Sequence, residues 1–178
     1  MNFNERPLIV IDVETTGLDP QLDDLIEIGA IKLDQKTLEE VGSFERKVRL
    51  QHPERIAPEA IAINGYTEEG WLEAVALETA MGEFAPFAAD GVFVAHNVCF
   101  DYGFVAESFR RSGVKDTMDY HRIDLPSIAW SRFPDRTKLN LSEIARDLGI
   151  GAEPTPHRAL TGARWATAVL RKLRETGF

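Results

Sequence analysis

Ile9-Val10-Ile11-Asp12-Val13-Glu14-Thr15-Thr16-Gly17-Leu18 is a short apolar run that breaks off at two acids and a glycine turn. Residues two apart share a face of a strand, so Asp12 and Glu14 point the same way, roughly 7 Å apart at about 3.3 Å per residue. Ile11 and Val13 face the other way. Two carboxylates at that distance repel by roughly 2 kcal/mol at an effective dielectric near 20, so a buried pair needs a compensating cation. A divalent metal is the simplest one. An acid pair on a solvated strand end has the same spacing, and the rest of the chain decides between the two readings.

With 178 residues, 44% of them hydrophobic, the chain suits one domain, 1–178, with a sizeable core. It has no apolar run of the roughly eighteen residues that a membrane span needs, and the start of the chain lacks the basic and apolar regions of a signal peptide. A cytoplasmic protein with no membrane contact is therefore expected. Cys99 is the single cysteine. It excludes an internal disulfide and a cysteine-based zinc cluster, and between Val98 and Phe100 it is expected as a small core residue. The net charge of −9 has the wrong sign for gripping nucleic acid with the whole surface. It is unevenly spread: residues 1–104 carry −13 and residues 105–178 carry +4. That split suits a metal site beside a modest phosphate-holding surface, and solvated helix faces give the same arithmetic.

Outward from the opening run, residues 8–13 read as a buried central strand, and 25–33 with 37–48 as an antiparallel hairpin turned at Asp34-Gln35-Lys36. Residues 58–63 read as a short helix opened by Pro58 and closed by Asn64-Gly65. Helices are expected within 67–89, broken near 70–73 and perturbed at Pro86, then a strand over 91–95 and a helix over 98–111. A short strand falls within 116–123, helices over 125–133 and 141–148, a loop over 149–156 and a last helix over 157–174. A meander followed by alternation of strands and helices predicts an α/β fold, a mixed sheet with helices on both faces.

Three blocks carry a further pattern: Ile11-Asp12-Val13-Glu14-Thr15-Thr16-Gly17-Leu18 with Ile26-Glu27-Ile28-Gly29-Ala30 downstream, Val94-Ala95-His96-Asn97-Val98-Cys99-Phe100-Asp101, and His157-Arg158-Ala159-Leu160-Thr161-Gly162-Ala163. In this order and spacing the chain resembles the DEDDh group of 3′-to-5′ exonucleases, which includes the proofreading subunits of bacterial DNA polymerase. The resemblance implies a ribonuclease H-like fold with a mixed five-stranded sheet. It also implies hydrolysis of nucleic acid from its 3′ end, single-stranded DNA above all, with a DNA polymerase or another replication or repair protein as partner. Its chemistry uses two divalent ions, Mg²⁺ or Mn²⁺, to activate water and stabilise the leaving alkoxide, and carboxylates are the hard ligands those ions prefer. By the resemblance, Asp12 bridges the metals, Glu14 binds the one carrying the attacking water, Asp101 serves the other, and His157 is the general base. Thr15, Thr16 and Leu18 would receive the terminal nucleotide, with Asn97 and Phe100 lining the same pocket. Trp71, Trp130 and Trp165 are candidates for base stacking, and each also suits a core or helix contact.

One position departs from the family pattern. The fifth residue after His157, where the fourth metal-binding acid is expected, is Gly162, and no acid occurs from 154 to 174. Three carboxylates would then face two divalent ions, so weak metal binding, a misplaced nucleophile and impaired activity follow. Glycine inside a helix costs about 0.8–1 kcal/mol relative to alanine, and nothing in the sequence shows what it gains here. Two other readings follow: an inactive module that holds a nucleic-acid end or a protein partner, and an RNA exonuclease.

Overall fold

The computed structural model describes residues 2–152 and 155–175; of the expected loop 149–156, Glu153 and Pro154 lie outside the described residues. Its centre is β1 (Leu8–Thr15), which is buried on both faces. β1 pairs antiparallel with β2 (Leu25–Leu33), which pairs antiparallel with β3 (Glu40–Lys47). On its other side β1 pairs parallel with β4 (Val92–Ala95), and β4 with β5 (Arg122–Asp124). The five-stranded sheet has the order β3-β2-β1-β4-β5. This is the mixed, five-stranded α/β sheet expected from the sequence.

Alternation along β1 divides the core in two. Ile9, Ile11 and Val13 pack with α2 (Leu77–Ala88) and α3 (Val98–Ser112), around Met81, Phe84, Phe104 and Val105. Leu8 and Val10 pack on the opposite face, with residues of α4 (Leu125–Arg132), α5 (Leu141–Asp147) and α6 (Ala159–Glu175). α1 (Pro58–Asn64) ends on Gly65 in a left-handed conformation, whose N–H bonds the Ile61 carbonyl.

Boundaries move where side chains compete with regular structure. β3 starts at Glu40 rather than at 37 because Asp34 accepts the Lys36 and Thr37 N–H groups, and Leu38 takes a left-handed φ of 58° while burying its side chain. Between 67 and 76 the helical structure is a single 3-10 turn, Glu69–Trp71, where Thr67 Oγ1 accepts the Gly70 N–H and Trp71 is buried, and Val75 bridges to Val48. α2 runs on through Pro86, which lies on its exposed side. The last helix begins at Ala159, leaving His157 and Arg158 just outside it.

Candidate active site

The acidic end of β1 is covered by the first two turns of α6. Asp12 and Glu14 lie on the same side of β1 as Leu8 and Val10, and opposite them on β2 stand Gly29 and Glu27. A Cβ at Gly29 would overlap the Ala159 carbonyl and the Leu160 amide, so this glycine lets the start of α6 rest on the sheet. One turn further on, a Cβ at Gly162 would lie 2.7 Å from Cγ and 3.3 Å from Oδ1 of Asp12. The Asp12 carboxylate fills the volume that a side chain at 162 would take. That close approach is the gain the sequence alone left unexplained.

Asp101 sits in the first turn of α3 and is 3% exposed; Glu14 is 7% exposed. Burial pushes the Asp101 carboxyl up to about 8, and the charge of Glu14 pushes the same way. Hydrogen bonds from its own N–H and that of Val13 pull it down. Two buried carboxylates that repel each other are what a bound cation relieves, and Asp12, Glu14 and Asp101 offer only the oxygen donors that hard divalent ions prefer. The donor set fits such an ion in chemistry. Among the described residues, however, no three acidic, histidine or cysteine side chains gather as a ready metal cage.

Next to Glu14 opens a mostly apolar cleft of about 510 Å³. Thr15, Leu18 and Phe100 line one side, and Ala60, Ile63 and Asn64 of α1 the other. Leu18 is 83% exposed, so its side chain adds little to the core. The Thr15 hydroxyl donates to the Gly17 carbonyl at 2.7 Å and shapes the turn. Thr16 lies off the cleft: it is fully buried, and its hydroxyl accepts the Asp24 N–H at 2.8 Å. Asn97 is also absent from the cleft lining. It is exposed at the head of α3 with φ 64° and ψ 59°, a left-handed turn that asparagine tolerates, and its carbonyl accepts the Phe100 N–H at 2.9 Å. His157 is half-buried, and its N–H donates to the Ile63 carbonyl at 3.2 Å, at the α1 edge of the cleft.

Four residues singled out in the sequence sort by burial. Cys99 is exposed rather than in the core, because α3 turns Asp101, Phe104, Val105 and Ser108 inward and position 99 outward. Trp71 and Trp165 are buried, with their Nε1–H groups donating to the Ile26 and Gly151 carbonyls, each at 2.9 Å. Trp130 is exposed.

Two residues near the site carried no role in the sequence reading. Glu27 is fully buried on β2, directly across from Glu14; burial raises its carboxyl above the usual range, against the pull of Arg158, whose Nη1 is 3.8 Å away. Its signal was an acid inside an apolar strand. Asn64, 1% exposed, donates from Nδ2 to the Thr15 carbonyl at 3.2 Å and accepts the Tyr66 N–H at 3.0 Å. As the residue before a helix-closing glycine it looked like a cap and nothing more.

The exonuclease family model matches residues 9–170. A DNA polymerase III PolC-type protein of Thermotoga maritima is 34% identical over 178 residues, covering 97% of this chain and 12% of its own length. One of Clostridium perfringens is 33% identical over 165 residues, with 92% and 11% covered. The chain thus spans about an eighth of the length of these relatives. Among solved structures, the nuclease domain of 3′hExo, a DEDDh family member bound to rAMP, matches with a TM-score of 0.81 at 16% identity, over 99% of this chain and 96% of that one. The zinc-bound E. coli ExoI complex with single-stranded DNA matches with a TM-score of 0.81 at 18% identity, over 97% and 41%. At such identities these two likenesses establish the fold, a ribonuclease H-like one.

Proposed function

Because this chain belongs to the exonuclease family, we propose that it removes mononucleotides from the 3′ end of single-stranded DNA in the cytoplasm, with activity lowered by Gly162. The observation that carries this reading is the junction at Glu14 and Thr15, where a buried carboxylate pair adjoins an apolar cleft of nucleoside size. Divalent ions, Mg²⁺ or Mn²⁺, held by Asp12, Glu14 and Asp101 would supply charge at the scissile phosphate and acidify the attacking water. Leu18 and Phe100 pack against the terminal base from one side and Ile63 from the other, which holds the sugar near the Thr15 backbone. His157 takes the proton of the attacking water, a role an imidazole ring nitrogen suits. With no carboxylate at 162, the water is poorly held, and misplacement by about 1 Å is enough to cost on the order of a hundredfold in rate.

Kinship with segments of much longer polymerase chains supports a DNA polymerase, or another replication or repair protein, as partner. The test is digestion of a 5′-labelled single-stranded DNA by this protein and by Gly162→Asp, with Mg²⁺ and with Mn²⁺. A ladder of shortened products from Gly162→Asp, faint or missing with the parent, is the expected result. Two inert proteins that both retain a DNA end would instead identify a binding module, the reading favoured by Asp12 resting on Gly162. A matched RNA oligomer cut faster than the DNA would move the substrate to RNA.

A further inference from the structure

His157 lies two residues ahead of α6, outside its regular hydrogen bonding, and a base in that position works only if the backbone under it is fixed relative to β1. Three contacts converge on its neighbour Arg158. Nη1 donates to the Asn64 carbonyl at 2.8 Å, and the same nitrogen lies 3.8 Å from Oε2 of the fully buried Glu27. The guanidinium carbon sits 4.9 Å from the ring centre of Trp71, which is itself held by its bond to the Ile26 carbonyl. Asn64 in turn donates to the carbonyl of Thr15, the residue after Glu14. A path of two hydrogen bonds, Thr15 to Asn64 to Arg158, therefore joins the acidic end of β1 to the residue next to His157. The His157 N–H on the Ile63 carbonyl closes the loop.

We propose that Arg158 is a positioning residue for His157, bracing it through Asn64 to the strand that carries Asp12 and Glu14. A guanidinium suits this role because it is planar and always charged: it lies over the Trp71 ring while one N–H bonds the Asn64 carbonyl and its charge stays close to the Glu27 carboxyl. Lysine has the charge and lacks the fork. The buried carboxylate of Glu27 gives the brace a fixed anchor on β2. Gly29 removes the side chain that would hold the start of α6 away from that anchor.

The inference rests on His157 acting as the base, so its test has one readout that does not depend on cleavage. The full chain is labelled with ¹³C,¹⁵N-histidine, the His157 ring signal is assigned with His157→Gln, and the parent is compared with Arg158→Ala and Arg158→Lys. In Arg158→Ala the His157 signal should move towards the position of an unstructured histidine while those of His52, His96 and His121 hold, with Arg158→Lys in between. In the Gly162→Asp background, Arg158→Ala should lower kcat at least tenfold with KM changed less than twofold, and lysine should recover part of that loss. A His157 signal unmoved by Arg158→Ala overturns the proposal. So do four signals that move together in both variants, since Arg158 would then serve the fold as a whole. If no protein cuts DNA while Arg158→Ala still moves His157 alone, the brace stands and the exonuclease reading falls.

Discussion

Replacing Gly162 by aspartate tests the structure most sharply, because its effect on stability should reverse with metal. A Cβ at 162 falls 2.7 Å from Asp12 Cγ, so Asp12 must rotate aside; two carboxylates sharing that site are taken as about 4–5 Å apart. At an effective dielectric near 20 they repel by about 3–4 kcal/mol. Helix propensity returns only a few tenths of a kcal/mol for glycine to aspartate. At pH 8 relief by protonation is closed, since adding a proton to one carboxyl with a pKa near 4 costs about 5 kcal/mol there. Gly162→Asn has nearly the same volume and no charge, so the difference between the two variants isolates the repulsion from the steric cost. In a domain of this size 1 kcal/mol moves the Tm by about 2–4 °C, so with chelator the aspartate variant should melt about 6–16 °C below the asparagine variant. Excess Mg²⁺ or Mn²⁺ should close or invert that gap, because the cation binds the folded acidic site and not the unfolded chain. Thermal unfolding by calorimetry at pH 8 decides it. Aspartate and asparagine variants that melt together with chelator, or that respond alike to metal, would refute the placement of Gly162 over Asp12.

Asp12→Ala should remove any residual cleavage of 5′-labelled DNA, by at least about a hundredfold, and a variant as fast as its parent would sink the metal assignment. Asp101 makes stability depend on pH. Its folded carboxyl is raised to about 8, so the unfolded chain holds fewer protons from the usual carboxyl range up to that value, and the metal-free protein should lose stability as pH rises across the window. Metal binding releases the proton and should stabilise more at pH 8 than at pH 6; an equal Tm gain at both, or a slope unchanged in Asp101→Asn, would contradict this. Leu18→Ala should leave the Tm within a degree or two, because the side chain is exposed, and raise KM for single-stranded DNA about tenfold, the effect of about 1.5 kcal/mol of lost apolar burial. A KM unchanged in a well-folded variant would move the base-binding cleft elsewhere.

The sequence by itself determined what local rules encode. A continuous apolar run ending at two acids showed β1 as a central strand, and the two-residue period put Asp12 and Glu14 on one face. Proline and glycine punctuation bounded α1, and the meander followed by alternation gave the mixed sheet with helices on both faces. It also marked Gly162 as the odd position. It misjudged Cys99, because which side of a helix faces the core depends on what packs there. Only the tertiary structure decided how residues distant in sequence meet. The parallel register of β1 with β4 brings α3 and Asp101 to Glu14, and α1 supplies the second wall of the cleft. Gly29 lets α6 settle until Asp12 occupies the space above Gly162, and Arg158 and Asn64 tie His157 to β1. Each of these is a distance between elements, set by close packing across the whole domain. A linear pattern records the period of each element and carries no measure of how near two of them come.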